Sequence, residues 1–217
     1  DLETIIQEGA EFAGTIVKDV PIDWRVDTVL KDIKKTAKGT VCLEIGGADG
    51  PMTPTIENLF ETTLTLDYSK EFLNRIKDKT KRTCCIYSNA HFLPIQNNVI
   101  DMVVCCEVLE HSAIPTQLLT EIRRATKEDG LILLSVPNEQ IVYYKKKRSS
   151  YDYTSAGDSH INFFTPDSLA RLLFRTGLEI IWMKTIYPPV HSLRTLLSNI
   201  RNSARKCFSG NYIVCLM

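Results

Sequence analysis

Glu107, Glu110 and His111 stand at i, i+3 and i+4, the spacing that gathers side chains on one helical turn. His160 lies in the run Asp158-Ser159-His160-Ile161-Asn162-Phe163-Phe164-Thr165, from which a loop could bring it to the other three. Two carboxylates and two imidazoles suit a divalent metal. Without a metal, His111 and His160 offer an acid–base pair. The plainest role for His111 is packing or hydrogen bonding at a helix start. A second constellation begins at Glu44-Ile45-Gly46-Gly47-Ala48-Asp49-Gly50, where glycines let the backbone turn tightly against a ligand. Further on, Asp67 offers a carboxylate that can accept both hydroxyls of a ribose. The glycines do not follow G-x-G-x-x-G and Pro51 opens the next segment, which speaks against a nicotinamide oxidoreductase. The same turn can also serve as a plain strand-to-helix connection.

These residues need elements to carry them. Val41–Ile45 reads as a strand ending in Gly46-Gly47, and Leu64–Leu66 as a second strand closed by Asp67. Cys84–Tyr87 is a third and Asp101–Cys106 a fourth, so apolar that both faces must be covered. Leu131–Val136, stopped by Pro137, is a fifth; Leu178–Ile186 and Tyr212–Leu216 complete seven. Between them fall helical stretches: Pro51–Phe60, Ser69–Lys77 with a Ser69 cap, Pro115–Thr126, and one opened by Thr165-Pro166-Asp167 and ended by Gly177. Alternating strands and helices predict an α/β three-layer sandwich around a mostly parallel sheet. Ligands in such sheets bind beyond the carboxyl ends of the strands, where Gly46, Asp67, Asn89 and Glu107 all fall.

The order of segments is specific. The glycine turn, Asp67, Asn89-Ala90-His91-Phe92-Leu93-Pro94, Glu107-Val108-Leu109-Glu110-His111, and Leu131 through Pro137-Asn138 together resemble the class I S-adenosylmethionine-dependent methyltransferases of the methyltransferase type 11/23 group, with its E-V-L-E-H segment. The resemblance covers residues from about 40 to 186 and implies a Rossmann-like sheet of seven strands, the last antiparallel. It assigns Glu44, Gly46, Gly47 and Gly50 to the turn around the methionine part of S-adenosyl-L-methionine. Asp67 would hold the ribose hydroxyls, and Tyr68 would lie on one face of the adenine. Asn89 and Ala90 would sit at the adenine edge with His91 nearby, and Cys106 would offer backbone beside the ribose. Ala48 replaces the usual middle glycine. Asn89 replaces a frequent Asp, and its carbonyl can still accept from the adenine amino group.

The resemblance further implies methyl transfer to an oxygen or nitrogen of a small-molecule acceptor, with His111 or His160 as catalytic base. Glu107, Glu110, His111 and His160 are also similar to the metal set of small-RNA 2′-O-methyltransferases. An RNA-end methyltransferase using a divalent metal is therefore an alternative, as is a non-catalytic binding protein on this fold.

Length and charge bound the rest. At 217 residues one domain is expected, and with the resemblance a single methyltransferase domain over 1–217. Within it we expect a helical cover (1–38), a cofactor-binding core (39–137), an active-site loop (138–164) and a substrate-side half (165–217). Lys+Arg and Asp+Glu number 26 each. The neutrality is a cancellation, since no acidic residue follows Glu179 while Lys184, Arg194, Arg201, Arg205 and Lys206 do. With Tyr143-Tyr144-Lys145-Lys146-Lys147-Arg148, these cations keep an anionic acceptor, RNA included, open. On a helix from His191 to Phe208 the charges are first of all a solvated face. Cys42, Cys84, Cys85, Cys105, Cys106 and Cys215 lie in strand-like runs and read as small buried hydrophobes in a reducing compartment. Trp24 and Trp182 read as packing residues. No apolar run reaches the ~18 residues of a membrane span, and the acidic N-terminus lacks the basic region of a signal peptide. A cytoplasmic protein is expected.

Overall fold

The computed structural model describes residues 24–138, 160–186 and 212–217. Helix α1 (Trp24–Thr36) leads into β1 (Val41–Ile45), a short α2 (Thr53–Glu57), β2 (Thr62–Asp67), α3 (Lys70–Lys79) and β3 (Cys84–Tyr87). Then follow β4 (Ile100–Cys106), a 3₁₀ turn (Leu109–His111), α4 (Pro115–Ala125) and β5 (Thr126–Pro137). Finally come α5 (Pro166–Arg175), β6 (Trp182–Ile186) and β7 (Tyr212–Leu216). The seven strands form one sheet in the order β3-β2-β1-β4-β5-β7-β6. Pairings from β3 through β5 are parallel, and β7 runs antiparallel to both β5 and β6.

Strand periodicity divides the core into two layers. Leu43, Ile45, Val103, Cys105, Ile132 and Leu134 face the apolar side of α4, carried by Leu118, Leu119 and Ile122. Cys42, Met102, Val104, Leu133, Val214 and Leu216 face the other way, where Val29 and Ile33 of α1 cover them. The mostly parallel, doubly covered sheet read from the sequence is thus present. Trp182 is half-buried against the α1 side, with Lys184 Nζ 5.0 Å from its ring centre.

Several boundaries differ from expectation. The helix expected over 51–60 is confined to Thr53–Glu57, with Asn58 closing it. Strand β6 starts at Trp182 rather than Leu178, because antiparallel pairing with β7 begins only there. Strand β5 extends back to Thr126: that residue pairs with Ile100, and regular register resumes at Met102 and Leu131 after an irregularity. Cys42, Cys105, Cys106 and Cys215 are buried as expected. Cys84 is exposed and Cys85 half-buried, because β3 is an edge strand with a neighbour on one side only. Residues 143–148 and 191–208, and with them His191, lie outside the described residues, as does the Trp24 side chain.

Candidate active site

The strand order reverses between β1 and β4, so a crevice opens beyond their carboxyl ends. The β1 exit turns through three positive-φ residues: Gly46 (+70°), Ala48 (+46°) and Gly50 (+73°). At Gly46 a Cβ would also meet Val108 Cγ2 at 2.3 Å, so only glycine fits. Ala48 accepts the left-handed conformation at a cost of roughly 1–2 kcal/mol. Its N–H donates to Asp67 Oδ2 (3.1 Å), which locks the turn to the end of β2. Ser69 N–H donates to the other oxygen, Oδ1, at 2.8 Å. Burial raises the Asp67 pKa, and these N–H donors oppose the rise.

Beneath the turn, Glu44 is fully buried, and Thr53 Oγ1 (2.6 Å) and Thr65 Oγ1 (2.9 Å) both donate to its Oε2. Its Oε1 has no hydrogen-bond partner among the described residues. Burial raises the Glu44 pKa, with the two hydroxyls pulling the other way. Tyr68 stacks on Tyr87, with ring centres 5.5 Å apart, and Lys70 Nζ sits 4.8 Å from the Tyr87 ring centre. Asn89 Oδ1 accepts from the His91 main-chain N–H (2.9 Å) and lies 2.8 Å from His91 Nδ1. That oxygen is an acceptor only, so Nδ1 carries the proton. The other ring nitrogen, Nε2, is 2.7 Å from Ser112 Oγ and accepts from it. Burial lowers the His91 pKa and keeps the ring neutral.

At the β4 exit, Glu107 is itself left-handed (φ +57°). Ser135 Oγ donates to its Oε1 (2.8 Å), and Arg25 Nη1 lies 3.6 Å from its Oε2. Glu110, His111 and His160, by contrast, converge: their candidate donor atoms lie within 4.8 Å of one another. Glu110 is buried, His111 exposed and His160 half-buried. The imidazoles meet edge to face with centres 4.9 Å apart. Of the four donors spaced for a metal, three therefore gather, and Glu107 stands outside that group.

Local hydrogen bonds explain how His160 arrives. Ile161 and Asn162 N–H both donate to Glu110 O (3.0 and 2.9 Å), and Asn162 Nδ2 donates to Ser112 O at 2.6 Å. Asn138 bridges to Phe164 beside them. Neither Ser112 nor Asn162 is singled out by the sequence. Their signal there is faint: a hydroxyl next to His111, and a lone amide in the run Ile161-Asn162-Phe163-Phe164.

A positive-φ turn with a carboxylate beside it at the reversal of strand order, and a pair of touching histidines after β4, belong to an open-sheet α/β protein. Residues 23–182 match a family model described as a methyltransferase domain, and the chain belongs to that family. A Mycolicibacterium smegmatis protein named "Probable S-adenosylmethionine-dependent methyltransferase" is 24% identical over 156 residues, 72% of this chain and 58% of that protein. An uncharacterized Methanocaldococcus jannaschii protein is 38% identical over 77 residues, 36% of this chain and 32% of its own length. The chain thus spans between about a third and three fifths of these curated relatives.

Among solved structures, one from the complex between the Haloferax volcanii Trm112 methyltransferase activator and a methyltransferase has a TM-score of 0.70 at 14% identity. It covers 100% of this chain and 96% of that one. A Mesorhizobium loti S-adenosylmethionine-dependent methyltransferase has a TM-score of 0.67 at 13% identity, over 90% of this chain and 99% of that one. At such identities the likeness is one of fold. The fold is that of the class I S-adenosylmethionine-dependent methyltransferases, and the family implies that cofactor. The residues fit it: Asp67 is a buried carboxylate beside the turn, Gly46 and Gly50 give that turn positive-φ backbone, and Glu44 Oε1 is a buried oxygen without a partner among the described residues. No described helix is long and apolar enough to cross a membrane.

Proposed function

We propose that the chain transfers a methyl group from S-adenosylmethionine to an oxygen or nitrogen of a small-molecule acceptor. The observation that carries this reading is the Asp67 carboxylate, tied by Ala48 N–H to the positive-φ turn at the switch point of the sheet. Asp67 would accept the ribose hydroxyls, and Gly46, Gly47, Gly50 and Glu44 would flank the methionine part. Tyr68, Asn89, Ala90 and His91 would border the adenine. Asn89 Oδ1 already accepts twice from His91, so its carbonyl is not available to the adenine amino group as expected, and Asn89 would offer the base its amide N–H groups instead. Cys106 backbone would lie beside the ribose.

Bound S-adenosylmethionine supplies a methyl group already activated on a sulfonium. The protein's task is then alignment of the acceptor and removal of its proton. His111 and His160, 4.9 Å apart and both reachable by solvent, are placed to take that proton. Calorimetry with S-adenosylmethionine and S-adenosylhomocysteine tests the reading: micromolar binding is expected, and no detectable binding would sink it in favour of a non-catalytic binding protein. A screen of acceptor classes for S-adenosylhomocysteine release then identifies the substrate.

The convergence of Glu110, His111 and His160 supports a second reading, a metal-dependent methyltransferase acting on an RNA end. These three residues would hold the ion. A divalent ion lowers the pKa of an acceptor hydroxyl bound to it. Activity on RNA would then collapse with a chelator, return with added metal, and be lost in Glu110→Ala and His160→Ala. Full activity after thorough chelation excludes the metal.

A further inference from the structure

His91 is buried, neutral and hydrogen-bonded at both ring nitrogens, and those bonds go to Asn89 and Ser112 rather than to the groups assigned to proton transfer. What it joins is informative. On one side it holds Asn89, at the exit of β3 on the cofactor side of the crevice. On the other it holds Ser112, which is 4% exposed and directly follows the 3₁₀ turn bearing Glu110 and His111. The carbonyl of Ser112 accepts the 2.6 Å hydrogen bond from Asn162 Nδ2, and Asn162 lies two residues beyond His160. The carbonyl of His91 accepts from Gln117 Nε2 (3.2 Å), so the first turn of α4 is tied in as well.

Both lateral walls of the crevice therefore meet at one imidazole. On the cofactor side Asn89 grips the His91 ring and main chain together; on the acceptor side Ser112 and Asn162 lock the 160–162 segment over His111. We propose that His91 is a positioning residue that, through Ser112 and Asn162, fixes the His111–His160 pair relative to the cofactor side of the site. The proposal rests on the reading of His111 and His160 as the groups facing the acceptor. Its physical content is rigidity: a buried, doubly bonded ring holds two loops in one register. A 1 Å misplacement of a reacting group can cost on the order of 10²-fold in rate.

The chain contains four histidines, so imidazole carbon–proton NMR resolves each one in the intact protein. In the wild type, His160→Ala shifts the His111 signal, because the rings touch. With His91→Leu, Ser112→Ala or Asn162→Asp, the expected result is a changed His111 and His160 chemical shift, and loss of the response of His111 to His160→Ala. Asn162→Asp is informative because a carboxylate cannot donate to Ser112 O. In Ser112→Ala and Asn162→Asp, which lie outside the cofactor set, affinity for S-adenosylhomocysteine should stay within about threefold while kcat falls on the order of 10²-fold. His91→Gln, which keeps one donor and one acceptor, should recover part of the loss. If His91→Leu does not fold, Ser112→Ala and Asn162→Asp carry the test by themselves. Unchanged His111 and His160 signals in those two folded variants would overturn the proposal. Failure of the underlying methyltransferase reading would show elsewhere, as absent S-adenosylhomocysteine binding by the wild type.

Discussion

Asp67 shows how much a single side chain can be asked to do. Its oxygens already receive N–H groups from Ala48, Ser69 and Tyr68, yet a carboxylate has about four lone-pair sites and keeps room for a ligand hydroxyl. Replacing it with Ala removes a charged acceptor from a desolvated position and also releases the Ala48 turn. Hydrogen bonds to charged groups contribute about 1.5–3 kcal/mol, so affinity for S-adenosylhomocysteine should fall roughly ten- to a hundredfold by calorimetry. Asp67→Asn keeps one acceptor and should fall between the two. Wild-type affinity in Asp67→Ala would remove the ribose role. Glu107 carries the opposite lesson. The i, i+3, i+4 spacing groups it with Glu110 and His111, but spacing presumes a continuous helix. The chain instead leaves β4 through a left-handed residue before the 3₁₀ turn, and Glu107 turns to Ser135 and Arg25.

At the scale of elements, Asp101 joins three strands at the end of the sheet away from the site. Its Oδ2 accepts from Thr40 and Val41 N–H (both 2.9 Å), at the start of β1, while Lys127 Nζ on β5 donates to Oδ1 at 2.6 Å. Gly39 gives it room, since a Cβ there would lie 2.3 Å from Asp101 Cβ. Burial alone would raise its pKa, but the Lys127 side chain and the two N–H groups outweigh it and hold the carboxyl down at about 2. A carboxyl whose folded pKa is depressed stabilises the fold above its unfolded pKa, about 3.9, and that contribution is lost as pH falls through about 2. Asp101→Asn should therefore lower stability by on the order of 1 kcal/mol at pH 7, allowing for solvent screening. Urea titrations should show the gap to wild type closing between pH 4 and 2; a gap independent of pH would mean that charge is not the cause. This junction also marks where reading the sequence stops. The buried strands were legible because apolar runs such as Met102–Cys106 and Leu131–Val136 announce themselves, and Ser69 and Thr165 were legible as caps because capping is local. Lys127-Glu128-Asp129-Gly130 falls between the expected helix and strand, and the pairing of Thr126 with Ile100 depends on contacts 26 residues apart, which no local pattern encodes. His91 was placed near the cofactor by resemblance for the same reason: its partner Ser112 is 21 residues away.

Across the whole molecule, the crevice lies where the two halves of the sheet diverge, with β1, β2 and β3 on one side and β4, β5, β7 and β6 on the other. A cofactor held by Asp67 from β2, the turn after β1 and the backbone after β4 would bind both halves at once and bind the unfolded chain not at all. Linkage then fixes the size of the effect: a ligand at a hundred times its Kd stabilises the native state by about 2.7 kcal/mol. For a domain of this size that corresponds to a rise in Tm of roughly 5–10 °C. S-adenosylhomocysteine should produce this shift in a thermal melt, adenosine a smaller one, and Asp67→Ala should suppress both. The Asp101→Asn protein, weakened at the opposite end of the sheet, should melt lower but shift by the same amount, because its site is intact. An equal shift in Asp67→Ala would place the ligand away from the switch point, and the cofactor site would have to be sought elsewhere on the chain.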